Sequence, residues 1–147
     1  MLIRDADMSD VKDIFDWRND FFSRSMSVNM LTVGLKDHID WYERSLKDPL
    51  RRLYVGIIED TKVGVVRFDR NPDADISELS INLNPLLRGK GYGFTLLFDC
   101  IKLYEQKNGV VLLAKIKKEN LASLHIFGKC QFLRNKEDEY FYYLTRG

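Results

Sequence analysis

The chain has 147 residues, 45% of them apolar and 31% charged, with a net charge of +1. This suits one domain over 1–147 with one core, and offers no basic excess for general nucleic-acid binding. No apolar run approaches the roughly 20 residues of a membrane span, and MLIRDADMSD lacks the basic start and apolar run of a signal peptide, so a cytoplasmic protein without a membrane partner is expected.

Leu2–Arg4 predicts a short strand. Asp7 or Ser9 caps a helix running to about Asn19, with Val11, Ile14, Phe15 and Arg18 on one side. Residues 20–34, DFFSRSMSVNMLTVG, show no period and predict a loop. Leu35 to Lys47 predicts a second helix whose buried stripe is Ile39, Tyr42 and Leu46, while His38 and Trp41 share a different face. Pro49 ends it. Three strands follow, Arg52–Glu59, Lys62–Arg70 and Ile76–Leu83, the first two joined by an Asp60-Thr61 hairpin turn. A long helix runs from about Gly91 to Lys107, stopped by Asn108-Gly109. Val110–Lys117 reads as a strand, and Asn120 caps a short helix to about Lys129. Two strands close the chain, near Phe132–Asn135 and Tyr140–Thr145.

Three consecutive strands argue against a doubly wound sheet. The order predicts an α+β fold: a mixed, mostly antiparallel sheet of about seven strands, flanked on both faces by about four helices. Within it Ile76–Lys117 forms a β-α-β unit, whose two strands are expected to be parallel with a right-handed crossover. Cys100 and Cys130 sit among apolar neighbours, as buried reduced thiols do, and no metal-ligand spacing is present.

The stretch NLNPLLRGKGYGFTLLFDC, residues 82–100, carries the chemistry. It takes a strand through a turn into a helix, so unpaired N–H groups and the positive end of a helix dipole collect at one point. Gly89, Gly91 and Gly93 allow close approach of an anion, and Arg88 and Lys90 add charge. The stretch is neither a Walker A loop nor a dinucleotide fingerprint, since no G-x-x-x-x-G-K-[ST] occurs and the third glycine position counted from Gly91 is Leu96. What remains is R-x-x-G-x-G over Arg88-Gly89-Lys90-Gly91-Tyr92-Gly93.

With this motif, the element order and the later ENLASLHIFGKCQF, the chain resembles the GNAT superfamily of acetyl-coenzyme A-dependent N-acetyltransferases. The resemblance implies the GNAT fold, with the two parallel strands splayed apart and the pantetheine arm lying between them. It assigns cofactor contacts to Ile81, Leu83, Arg88, Gly89, Lys90, Gly91, Tyr92, Gly93, Asn120, Ser123 and Phe127. It implies acetyl-coenzyme A as co-substrate, no metal, and a monomer or homodimer.

Acetyl transfer to an amine needs no enzyme nucleophile. An amine with a pKa near 10 is mostly protonated at neutral pH, so a base must take its proton, usually through water. Strand alternation puts Glu78, Ser80 and Asn82 on one face, which makes Glu78 the candidate base; a solvated strand glutamate is the alternative. The backbone N–H near Leu83 is the candidate oxyanion donor. Relatives place a proton-donating tyrosine where this chain has Phe127, so Tyr140, Tyr142 or Tyr143 stand as replacements and His125 is expected to face elsewhere. Gln131 replaces the usual glycine before Phe132, and Lys115, Lys117 and Lys118 form a basic strand end that is either solvated or near the 3′-phosphate of the coenzyme.

Acceptor residues are expected on the first two helices. The pairing of Trp17-Arg18-Asn19 with His38-x-x-Trp41 is similar to the branch that acetylates nucleotide-linked amino sugars for pseudaminic acid. A nucleotide sugar suits these residues: Arg18 can pair with a diphosphate, and His38 and Trp41 can offer a hydrogen bond and a stacking surface, with Arg24 in the adjoining loop; a bridge from helix to strand is the alternative for Arg18, and an exposed surface position for His38. Core packing is the alternative for Trp17 and Trp41. The expected reaction is acetyl transfer to the 4-amino group of a UDP-linked sugar. N-terminal acetylation of ribosomal-protein-type peptides, or a non-catalytic coenzyme A-binding module, are the alternatives.

Overall fold

The computed structural model describes residues 1–27 and 31–147. The elements are β1 (Leu2–Asp5), α1 (Val11–Asn19), α2 (Phe21–Met26), α3 (Leu35–Lys47), β2 (Arg51–Ile58), β3 (Thr61–Asn71), β4 (Ile76–Leu83), α4 (Tyr92–Glu105), β5 (Val111–Lys117), α5 (Leu121–Lys129), β6 (Leu133–Glu137) and β7 (Phe141–Arg146). They form one seven-stranded sheet in the order β1-β2-β3-β4-β5-β7-β6. All neighbours are antiparallel except β4 and β5, the pair joined through α4.

Two apolar layers hold the helices to the sheet. On one face, α4 and α5 bury Leu96, Leu97, Cys100, Ile101, Tyr104 and Phe127 against Phe68, Leu79, Leu112 and Ala114. On the other, α1 and α3 bury Ile14, Trp17 and Tyr42 against Leu53, Val55 and Val65. This second layer is centred on β2 and β3, and α1 also reaches β4. Burial raises both thiols, that of Cys130 to about 11, which leaves them protonated and inert.

Three expectations change. The 20–34 stretch is not wholly loop: Asp20 accepts a bond from Ser23 N–H at 3.2 Å and starts α2, a six-residue helix with no buried residue and hence no apolar period. The rest of that expected loop includes 28–30, which lie outside the described residues. Helix α1 turns Trp17 rather than Arg18 into the core, because the indole gains more from burial than the guanidinium. In α3 the fully buried set is His38, Tyr42 and Ser45, with Ile39 and Leu46 half-buried.

Hydrogen bonds explain that last rotation. His38 Nε2 lies 3.1 Å from the Val11 carbonyl, Tyr42 donates to the Asp7 carbonyl at 2.6 Å, and Ser45 Oγ accepts from Arg51 at 2.9 Å. A buried polar group with such a partner is tolerated where an unpartnered one is not. Asp10 follows the same rule. It is fully buried, yet it accepts from both terminal nitrogens of Arg4 at 2.7 and 2.8 Å and pairs with Lys62 at 2.8 Å. Burial raises its pKa, but the bonds from Arg4 and Lys62 outweigh burial and hold the carboxyl well below the usual range.

Candidate active site

Strands β4 and β5 pair through only three registers: Ile76 with Val111, Ser77 with Leu112, and Glu78 with Leu113. Beyond Glu78 they part. Leu79–Leu83 pairs with β3 alone, and Ala114–Lys117 pairs with β7 alone. The direction of the unpaired groups follows from two bonds at the strand ends. Asn84 N–H donates to the Val63 carbonyl at 2.8 Å, on the β3 side. Backbone groups alternate along a strand, so Leu83 and Ile81 turn their N–H and C=O into the opening. On β5, Lys118 N–H bonds the Tyr140 carbonyl at 2.9 Å on the β7 side, so Lys117 and Lys115 face the opening. The result is a slot with main-chain donors and acceptors on both walls, and Glu78 at its apex. Such open edges are ordinarily a liability, which a ligand strand would cover.

The glycine turn stands at the mouth of this slot. Gly89 and Gly91 have φ of +76° and +80°, left-handed values that other residues adopt at a cost, and a Cβ on either would meet nothing within 4 Å. Gly93 serves differently: a Cβ there would lie 3.1 Å from Leu83 Cδ1, so its absence seats the first turn of α4 on the end of β4. Gly91 is the N-cap of α4 and makes no side-chain cap, and no acidic residue lies in the first turn. The helix start therefore presents uncapped N–H groups and a positive dipole end toward open space.

Arg88 has partners within the protein. Its NH2 donates to Asp20 Oδ2 at 2.6 Å and to Ser23 Oγ at 2.8 Å, and its guanidinium sits 4.8 Å from the Phe22 ring centre. Arg88 thus ties α2 to the turn. Lys117 ties the other end of α2, donating to the Ser25 carbonyl at 2.8 Å. Helix α2 therefore spans from the turn at the end of β4 to the end of β5, across the open slot. Lys90 is exposed and Tyr92 half-buried. Asn120 caps α5 by accepting from Ser123 N–H at 3.2 Å, so both residues have a structural role.

Phe127 is 2% exposed and packs edge-on against Phe132 at 5.0 Å, inside the core rather than along the slot. Among the tyrosines, Tyr142 packs on the α4 side and Tyr140 is exposed. Only Tyr143 lies on the face of Glu78, by strand alternation. It donates to Asp138 at 2.8 Å, and that bond, with burial and the nearby charges of Asp138 and Glu78, raises its pKa and makes it a poorer acid. His125 is exposed on α5, as expected. Lys115 covers the Phe141 ring at 4.5 Å, and Lys118 pairs with Glu137. Gln131 takes φ of +67°, and Phe132 N–H bonds the Phe127 carbonyl at 3.1 Å: this is a left-handed helix end that glycine would fill without strain.

The acceptor residues separate into two groups. Trp17, 5% exposed, and His38, 0% exposed, lie in the core. Neither offers a free surface, which overturns the exposed placement of His38. Burial lowers the His38 pKa, and its Nδ1 is buried without a partner. Asn19 holds Val33 by two bonds, donating to its carbonyl at 2.9 Å and accepting from its N–H at 3.0 Å. Arg18 and Trp41 do meet, the guanidinium carbon lying 4.8 Å from the indole centre. Arg24 stays by Phe21, 5.8 Å from its ring. Two residues missed in the sequence, Arg51 and Arg67, approach the same indole at 5.6 and 5.7 Å. No local motif marks them, because the chain brings them together only through the sheet. Glu78 is exposed and makes no side-chain hydrogen bond or ion pair among the described residues.

Two surface hollows, of about 400 and 510 Å³, both include Asn108 in their lining and lie toward the other end of β4 and β5. Neither hollow is lined by Glu78 or by the glycine turn. Among the described residues no cluster suits a metal ion, and no helix is long and apolar enough to cross a membrane.

A mixed sheet opened along one parallel pair, with an uncapped glycine-rich helix start at the mouth, defines a protein that holds an extended, anion-bearing group-transfer donor. Residues 11–132 match the Acetyltransferase (GNAT) family, and the chain belongs to that family, whose members are acyltransferases. No curated protein matches it in sequence. Solved structures share the fold at low identity. The spermidine N-acetyltransferase of Vibrio cholerae, in complex with coenzyme A and spermine, is 17% identical over 98% of this chain and 92% of its own, with a TM-score of 0.86. The ribosomal-protein-alanine N-acetyltransferase of Brucella melitensis is 24% identical over 99% and 97%, with a TM-score of 0.78. The Campylobacter jejuni N-acetyltransferase PseH, in complex with acetyl coenzyme A, is 20% identical over 99% and 98%, with a TM-score of 0.75.

Proposed function

We propose that this chain transfers an acetyl group from acetyl-coenzyme A to the amine of a nucleotide-linked amino sugar, at its 4-position. The parting of β4 and β5 at Glu78, beside the glycine turn, carries the reading. Amides of residues 89–93 and the start of α4 hold the pyrophosphate. Ile81 and Leu83 pair with the pantetheine arm as a neighbouring strand would, and Leu83 N–H steadies the oxyanion. The coenzyme supplies an activated thioester.

Glu78, through water, takes the ammonium proton; with an amine pKa near 10, only about one molecule in a thousand is neutral at pH 7. The amine nitrogen then bonds the carbonyl carbon and gives up a second proton to water, the C–S bond breaks, and the sulfur leaves with the electron pair. With Phe127 unable to donate and Tyr143 made a poorer acid, the thiolate takes its proton from solvent. A thiol pKa near 8.5 makes it a competent leaving group without a protein acid.

The choice of a nucleotide sugar rests on Arg18 lying over Trp41, where the W-R-N and H-x-x-W segments meet, and on the likeness to PseH. Thiol release tests it, with a UDP-linked 4-amino sugar set against ribosomal-protein N-terminal peptides and spermidine. Turnover of the sugar supports the proposal. Turnover of peptides alone moves the chain to N-terminal acetylation, and silence with every amine leaves a coenzyme-binding module.

A further inference from the structure

The surroundings of Trp41 hold positive charge that the protein itself does not neutralise. Arg51, Arg67 and Arg18 each place a guanidinium carbon within 5.7 Å of the indole centre. Among the described residues, Asp69 is the one acid paired with them. It accepts from Arg51 Nε at 2.5 Å, and Arg51 also has Ser45. Arg67 Nε lies 3.1 Å from Asp69 but is misaligned, so that nitrogen stays buried and without a hydrogen bond. Arg18 has no ion pair among the described residues, and its NH1 is likewise buried and unpartnered. Burial lowers the pKa of both Arg18 and Arg67, and Arg67 lowers that of Arg18 further, as two close like charges must.

A buried donor without an acceptor is costly, and a charged one more so. Arg18 has no acid paired with it among the described residues, and Arg67 shares Asp69 with Arg51, so a further anion would serve both. The arginines are also well placed for one. Both guanidinium carbons lie within 5.7 Å of one indole centre, close enough for a cation–π contact. Arg67 lies opposite Ser80 in the β3–β4 register and feels the charge of Glu78, while 35% of its side chain remains exposed. The pair therefore borders the strand that carries Glu78, on the face that α1 and α3 leave partly open.

We propose that Arg18 and Arg67, both close to Trp41, form an oxyanion-recognition subsite beside Glu78, so that the acceptor amine bears a phosphate or carboxylate and polyamines are rejected. This rests on the reading that Glu78 borders the reacting amine. An oxyanion bridging the two guanidiniums satisfies both buried donors and cancels their repulsion. A polycation adds to that repulsion, which is discrimination by an unfavourable contact rather than a better favourable one.

The test is binding without turnover, at saturating coenzyme A so that the glycine turn is occupied. UDP, pyrophosphate and glutamate are titrated against indole fluorescence and by calorimetry. At least one anion is expected to saturate, and Arg18→Gln and Arg67→Gln each to weaken it by about 10- to 100-fold, with Arg67→Lys between. Unchanged coenzyme A affinity shows that each variant folds. UDP alone points to a phosphate and glutamate alone to a carboxylate. The subsite is overturned if no anion binds, if the variants bind as the wild type does, or if spermidine is acetylated as efficiently as the anionic amines. If no amine releases thiol, the proposed activity falls while the titration still decides the subsite.

Discussion

The donor and acceptor sides of the slot are built in opposite ways. On the donor side everything is local: a strand end, two left-handed glycines and a helix start lie within a few residues of one another. Its ligand groups are main-chain amides, whose positions follow from the backbone itself. On the acceptor side nothing is local. Arg88 reaches Asp20 across 68 positions, Lys117 reaches Ser25 across 92, and Trp41 collects arginines from α1, β2 and β3. A backbone site tolerates side-chain change, whereas a side-chain site redraws its preferences with each substitution. The difference suits a fold shared by a spermidine N-acetyltransferase and a ribosomal-protein-alanine N-acetyltransferase.

The largest effect is expected where the two sides meet. Glu78→Gln should lower kcat by about 100-fold or more while leaving coenzyme A affinity intact, and the turnover that remains should rise more steeply with pH, because the free amine must then come from solvent alone. A variant whose turnover and pH profile match the wild type would return Glu78 to a solvated strand residue.

Next comes the packing behind the acceptor wall. His38 is neutral in the fold, since burial lowers its pKa, so its contribution to stability is present above the unfolded value near 6.5 and fades as pH falls. Urea midpoints between pH 7.5 and 5.5 should show a loss of up to about 1.4 kcal/mol per pH unit, absent in His38→Gln. A flat wild-type profile would mean that His38 keeps its ordinary pKa.

These contrasts also mark what could be read in advance. The glycine turn at 88–93 is legible because its residues are contiguous and its left-handed positions fall on Gly89 and Gly91. The order of elements along the chain and the one parallel pair follow from alternation and turns, and the parting of β4 and β5 from the family likeness. Helix α3 was misread because its pattern favours Ile39 and Leu46, while the fold buries His38 and Ser45 on partners from α1 and β2. No rule of local spacing supplies the Val11 carbonyl or the Arg51 guanidinium. Arg88 was placed at the phosphate for its position in the motif, and Asp20, which claims it, sits in a stretch without period.

That contact gives a smaller effect. Asp20→Asn frees Arg88 and loosens α2, so KM for acetyl-coenzyme A should fall and KM for the acceptor rise, each by about two- to fivefold for a partly exposed ion pair. Movement of both constants in one direction would show that α2 does not couple the two sides. Smallest is Gln131→Gly, which relieves the left-handed helix end and should raise stability by about 0.5–1 kcal/mol with kcat unchanged. A fall in the urea midpoint would deny the strain.

The most direct measurement is amide hydrogen exchange, residue by residue, as coenzyme A is added. Gly89, Gly91 and Gly93, with Ile81 and Leu83 on the open edge of β4, should gain protection together. Protection that leaves these amides unchanged and appears instead around Asn108, at the far end of the parallel strands, would contradict the account.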